Sequence, residues 1–199
     1  MVNSPTELTT SATDLFLAIE CFFILIYLWC VPTGDRWKTS LWSWVFGLLA
    51  FSSFLGAMAH GLELRETIRE ALWLPLYLSL GVVVALFVVG AILDLSGRDM
   101  AIRLVLPCIA AGFVFFGLVQ FFDGIFIIFV IYEAIALVFA MAVYSFLFVS
   151  RRLKGAGIIA LAILLSIVAA AVQASDASIK IIFLFDHNGI FHLIQIPAM

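Results

Sequence analysis

Charge is what this chain has least of. Asp, Glu, Lys and Arg make up 12% of its 199 residues, about half the ~25% of a soluble domain. With a formal net charge of -3 there is no basic surplus to attract a nucleic acid. Residues 1–13 hold Glu7 and no Lys or Arg. The basic start of a cleavable secretory signal is therefore missing, and the first apolar run reads as a retained span. The three cysteines, Cys21, Cys30 and Cys108, sit in apolar runs without CxxC or Cys/His spacing. That pattern predicts neither a disulfide framework nor a cysteine metal site. No repeat with a period of 20–50 residues is present.

What is there instead is apolar. Hydrophobic types make up 65% of the chain, and the mean hydropathy is +1.24. The expectation is an all-α integral membrane bundle, one domain over 1–199. A bacterial inner or plasma membrane is its expected location. A membrane-crossing helix needs about 20 mostly apolar residues. Seven runs are predicted as spans, at 14–31, 41–61, 71–94, 101–121, 124–149, 155–174 and 182–199. They are separated by the turn and charge clusters PTGDRWK, LSGRD, FFDG, RRLKG and QASDASIK. The last run is short, since Asp186 to Met199 gives only ~21 Å of helix at ~1.5 Å per residue.

Basic residues set the expected orientation. Arg65, Arg69 and Lys180 fall on the side of the N-terminus; Arg36, Lys38, Arg98, Arg103, Arg151, Arg152 and Lys154 fall on the other. This predicts the N-terminus outside and the C-terminus in the cytoplasm.

Placed by depth, the ionisable residues gather at one level. His60 ends span two, Glu20 and Glu133 lie within spans one and five, and Asp186, His187 and His192 open span seven. Asp14, Asp123 and Gln173 fall near the same outer boundary. Ionisable groups inside a membrane are costly and face the bundle interior, so this level predicts a shared polar cavity. Three imidazoles are the ligand set of many catalytic zinc sites, which leave the fourth position to water. The candidate metal ligands are His60, His187 and His192, with zinc as the expected metal. A hydrogen-bonded network fixing helix packing is the alternative. His187 and His192 are five residues apart, roughly 140° around a regular helix. Sharing a metal requires His187 to precede the helix or an irregular turn, which the Asp, Asn and Gly of DHNG permit.

Seven spans, a Ser/His pair late in span two (Ser53, His60) and the segment HNGIFHLIQ early in span seven resemble the CREST superfamily. That superfamily includes the alkaline ceramidases, the progestin/adiponectin receptors and the Per1-like proteins. The resemblance implies a zinc held by one histidine of helix two and two of helix seven, and hydrolysis of a lipid. Residue by residue, His60 and His192 match the family's ligands. Gly56 stands at its serine position, Asn188 at its first helix-seven histidine, and no Asp occupies the outer end of span three.

Two functions follow. One is a zinc-dependent intramembrane hydrolase of a lipid amide or ester. Its metal would lower the pKa of bound water to about 7. Glu20 or Glu133 would be general base, and Ser53 a donor to the oxyanion. The other is a non-enzymatic receptor or lipid-binding protein, its cavity closed by a structural metal or a polar network. Membrane lipids and a small lipid substrate or ligand are the expected partners of either.

Overall fold

The stretch Ser4-Pro5-Thr6-Glu7 starts the first helix. The Ser4 hydroxyl accepts from the Glu7 amide at 3.5 Å, and Pro5 sits in the first turn, where its missing N–H costs nothing. Helix α1 therefore runs Pro5–Cys30, starting earlier than the span expected at 14–31. The difference places Asp14 inside the helix rather than at its mouth.

The computed structural model describes residues 1–31, 34–122 and 127–199. Asp123 and part of the expected FFDG turn lie outside them. After α1 come α2 (Arg36–Gly61), α3 (Glu66–Ser96), α4 (Arg98–Phe121), α5 (Ile127–Val149) and α6 (Ala156–Gln173). The charged stretch ELRETIRE, Glu63 to Glu70, is the first turn of α3 and the residues just before it, with Arg69 3.6 Å from Glu66. These six helices are each long and apolar enough to cross a membrane.

The segment expected as a seventh span is different. Ile179–Lys180 (β1) pairs antiparallel with Leu184–Phe185 (β2). Then α7 covers only His187–Gln195, followed by a 3-10 turn at Ile196–Ala198. Nine residues of helix reach about 14 Å, well short of a ~30 Å hydrocarbon core. The bundle is all-α apart from that small ribbon, and among the described residues six helices, not seven, have membrane-crossing length.

Helix α3 is the axis. Within its most apolar window 72% of residues are buried, against 17% for α4, which packs on the outside of α3. Apart from α4, the helices form a ring in the order α1, α2, α3, α5, α6, α7 and back to α1, with α3 its most buried member. Three apolar clusters hold it together. Leu41, Val45, Val83 and Val89 join α2 to α3; Leu55, Leu76, Phe115 and Phe129 join α2 through α5; Leu137, Ala140, Tyr144 and Ile163 join α5 to α6. Gly81 and Gly112 let α3 and α4 touch backbone to backbone. A Cβ on Gly112 would stand 2.6 Å from the Gly81 carbonyl oxygen, so any larger residue forces the helices apart. Phe22, Phe23, Phe113, Phe121, Phe146 and Phe148 are exposed, the outward apolar skin that a bilayer would cover.

A candidate ligand cavity

One end of the ring holds a cavity of about 330 Å³. Leu17, Leu49, Leu76, Leu80, Phe129 and Phe191 form its apolar wall. Polar groups line it as well: Asp14 from α1, Ser53 and His60 from α2, Glu133 from α5, Gln173 from α6, and His187, Asn188, His192 and Gln195 from α7. Of the candidates read from sequence, His60, His187, His192, Ser53 and Glu133 are brought to this one space. Glu20 is not among its lining residues; its Oε2 is buried with no hydrogen-bond partner among the described residues. Asp14 stands where Glu20 was expected.

A threonine face on α1 docks α7. Thr9 donates to the Leu184 carbonyl at 2.9 Å, and Thr10 donates to Asp186 Oδ1 at 3.1 Å. Asp186 is the N-cap of α7 and accepts from the Gly189 amide at 2.9 Å. A turn further on, Thr13 Oγ1 lies 3.1 Å from His192 Nδ1, and Asp14 Oδ1 lies 3.3 Å from His192 Nε2. Residues 9, 10, 13 and 14 fall on one side of a helix because they repeat at three and four. Their polarity makes a short terminal helix stick where hydrophobic attraction between helices is absent. From α6, Ser166 donates to Gln195 at 2.8 Å and Gln173 Nε2 to Asn188 at 3.4 Å, holding α7 from its other flank.

His60 is oriented from α1 as well. Its Nδ1 is 2.7 Å from Glu7 Oε2, and its ring stands edge-on to Trp73 at 5.5 Å. Glu7 escaped the sequence reading because the N-terminal stretch was taken as lying ahead of the first span; the Ser-x-x-Glu start was the signal that could have found it. Gly56, which occupies the serine position of the resembling family, is where the Asp14 carboxylate packs. A Cβ there would stand 2.8 Å from Asp14 Oδ2. At this point of α2 the polar group is supplied by α1 instead.

A zinc ion is tested by these positions. The Glu7–His60 pair is the carboxylate-to-imidazole arrangement that commonly orients a metal ligand. The 3.3 Å from His192 Nε2 to Asp14 Oδ1 is near the ligand–ligand edge of a tetrahedron with bonds of about 2.0–2.1 Å. Yet among the described residues no three His, Cys, Asp or Glu groups converge closely enough to hold a metal, and both His192 ring nitrogens already face a partner. The side chains as arranged do not fit a three-ligand zinc centre. His187, the first residue of α7, lines the cavity without joining such a set.

Two buried oxygens of cavity-lining residues lack a partner among the described residues: Glu133 Oε2 and Gln173 Oε1. Buried acceptors without donors cost on the order of 1–3 kcal/mol each. A donor from water or from a bound molecule would remove that cost.

Neither the curated proteins nor the solved structures contain a match to this chain. A family model does match, over residues 9–199, and on that extent the chain belongs to DUF6962, a family of unknown function.

Proposed function

We propose that this is a multi-pass membrane protein, N-terminus outside, whose six crossing helices return the chain to that same side before α7, and that it holds a small single-chain amphiphile in its interior cavity. The observation that carries the reading is the mixed lining, leucine and phenylalanine together with a carboxylate, imidazole and amide set. Ligand sites are typically apolar with a few placed polar groups, and 330 Å³ lies at the small end of their range, suited to one acyl chain rather than two.

Trp73 is the one tryptophan lining this cavity; Trp29, Trp37, Trp42 and Trp44 lie at the end of α1 and the start of α2. The test is fluorescence quenching by 12-bromododecanol in phosphatidylcholine nanodiscs. A saturable quenching component that Trp73→Phe removes is the expected result. Quenching that never saturates, or that survives Trp73→Phe unchanged, refutes the cavity as a site.

A zinc-dependent lipid hydrolase is the second reading; it has His60, His192 and Asp14 lining one space, and it requires His192 to leave the partners it has in this arrangement. Elemental analysis of purified wild type, His60→Ala and His192→Ala decides it. One zinc per chain, lost in both variants, would establish the metal; none in wild type leaves the amphiphile site alone.

A further inference from the structure

The cavity's lining holds several acceptors and little fixed positive charge. Among the described residues no Lys or Arg lines it. Asp14 is matched by His192, and His60 by Glu7. That leaves Glu133, 9% exposed, with Oε2 unpartnered, and Gln173, 8% exposed, with Oε1 unpartnered. Gln173 spends its Nε2 on Asn188, so its free atom is the carbonyl oxygen, which only accepts. Trp73 contributes the third element. Its ring lines the same space and stacks on Tyr77 at 5.7 Å, and an indole is the aromatic group best suited to attract a cation.

We infer that the head of the bound amphiphile is a hydrogen-bond donor carrying positive charge, a primary alkylammonium, seated between Glu133, Gln173 and Trp73 with its chain along the apolar wall. The inference rests on the cavity reading above and narrows it. A carboxylate or phosphate head placed at Glu133 and the Gln173 oxygen would meet two acceptors, and like-charged groups in this low-dielectric setting repel strongly. An ammonium brings three donors to acceptors that otherwise stay unsatisfied.

The test is competition of dodecylamine, dodecanol and dodecanoate against 12-bromododecanol on the Trp73 signal. Dodecylamine is expected to displace the probe at about tenfold lower concentration than dodecanol, the ratio for a hydrogen bond to a charged group, with dodecanoate weakest. Glu133→Gln should bring the amine and dodecanol to similar displacing concentrations, with an unchanged circular dichroism spectrum and unfolding midpoint reporting that the variant is folded. Should Glu133→Gln fail to fold, Gln173→Leu carries the same test, and a reduced ratio of amine to dodecanol potency is the supporting result. Dodecanoate displacing as well as the amine, or an amine advantage untouched by either variant, overturns the inference and leaves the cavity reading standing. If none of the three competes and the probe itself never saturates, the cavity reading is what has failed.

Discussion

The two ends of the bundle handle a buried carboxylate in opposite ways. At the end where α2 begins, Asp94 of α3 receives Lys38 Nζ at 2.5 Å on one oxygen and the Tyr144 hydroxyl at 3.0 Å on the other. Three helices are pinned by one side chain, and no space remains around it. At the other end Glu133 of α5 faces a cavity and keeps one oxygen unpartnered among the described residues. The first arrangement is what helix packing requires, because a polar group deep in an apolar bundle must be satisfied from within. The second forgoes that satisfaction, and a stability deficit placed beside an open space is the usual signature of a binding site.

Removing Asp94 is the strongest way to break the contrast. Asp94→Ala strands Lys38 and the Tyr144 hydroxyl, and should lower stability by about 2–4 kcal/mol in a denaturant titration. The figure falls toward the low side of the ~3–5 kcal/mol of a fully buried pair because Lys38 stays 38% exposed to solvent. Gly56→Ala comes next. Its Cβ would press on Asp14, so a loss of about 1–3 kcal/mol is expected from overpacking, together with loss of the Trp73 quenching component. A stable variant with normal quenching would show that Asp14 does not need its present place.

Asp14→Asn keeps the shape and removes the charge opposite His192. The expected effect is about 1–2 kcal/mol, seen as faster amide hydrogen exchange confined to α7. Exchange accelerating throughout the bundle would contradict the docking role given to this pair. The smallest effect is expected at Glu133→Gln. With one oxygen unpartnered from the start, stability should change by less than about 1 kcal/mol, in either direction. A loss as large as that of Asp94→Ala would mean that Glu133 is satisfied in the folded state and that the two ends are alike after all.

Six of the helices were legible as apolar runs, since length and hydropathy alone specify a helix able to cross a bilayer. The seventh was not. The run Ile181-Ile182-Phe183-Leu184-Phe185 is as apolar as a span, but short, β-branched and aromatic runs read equally as strand, and the chain there turns back on itself as a ribbon. The site was legible in one dimension. Depth along the expected spans gathered His60, His192 and Glu133, which the fold brings to one cavity, because cost in lipid depends on depth; Ser53 came through the family resemblance. Depth says nothing about which way a helix faces. Glu20 lies six residues beyond Asp14, about 9 Å along α1 and about 120° around it, and only Asp14 meets the cavity. Thr13 had no compositional mark, since its role is to lie against an imidazole; Glu7 lay ahead of the expected first span.

The pairing of Thr13, His192 and Asp14 has a consequence for proton bookkeeping. Thr13 Oγ1 lies 3.0 Å from the Thr9 carbonyl and 2.9 Å from that of Thr10, so its one hydrogen has main-chain acceptors within reach. With that hydrogen on the main chain, Thr13 accepts from a hydrogen on His192 Nδ1. The contact between Nε2 and Asp14 then closes with a single mobile proton, sitting on the acid or on the ring. In both forms the two side chains together are electrically neutral. An aspartate can thus sit within an apolar helix without carrying isolated charge into the lipid, and the imidazole that neutralises it is supplied by the shortest helix of the fold.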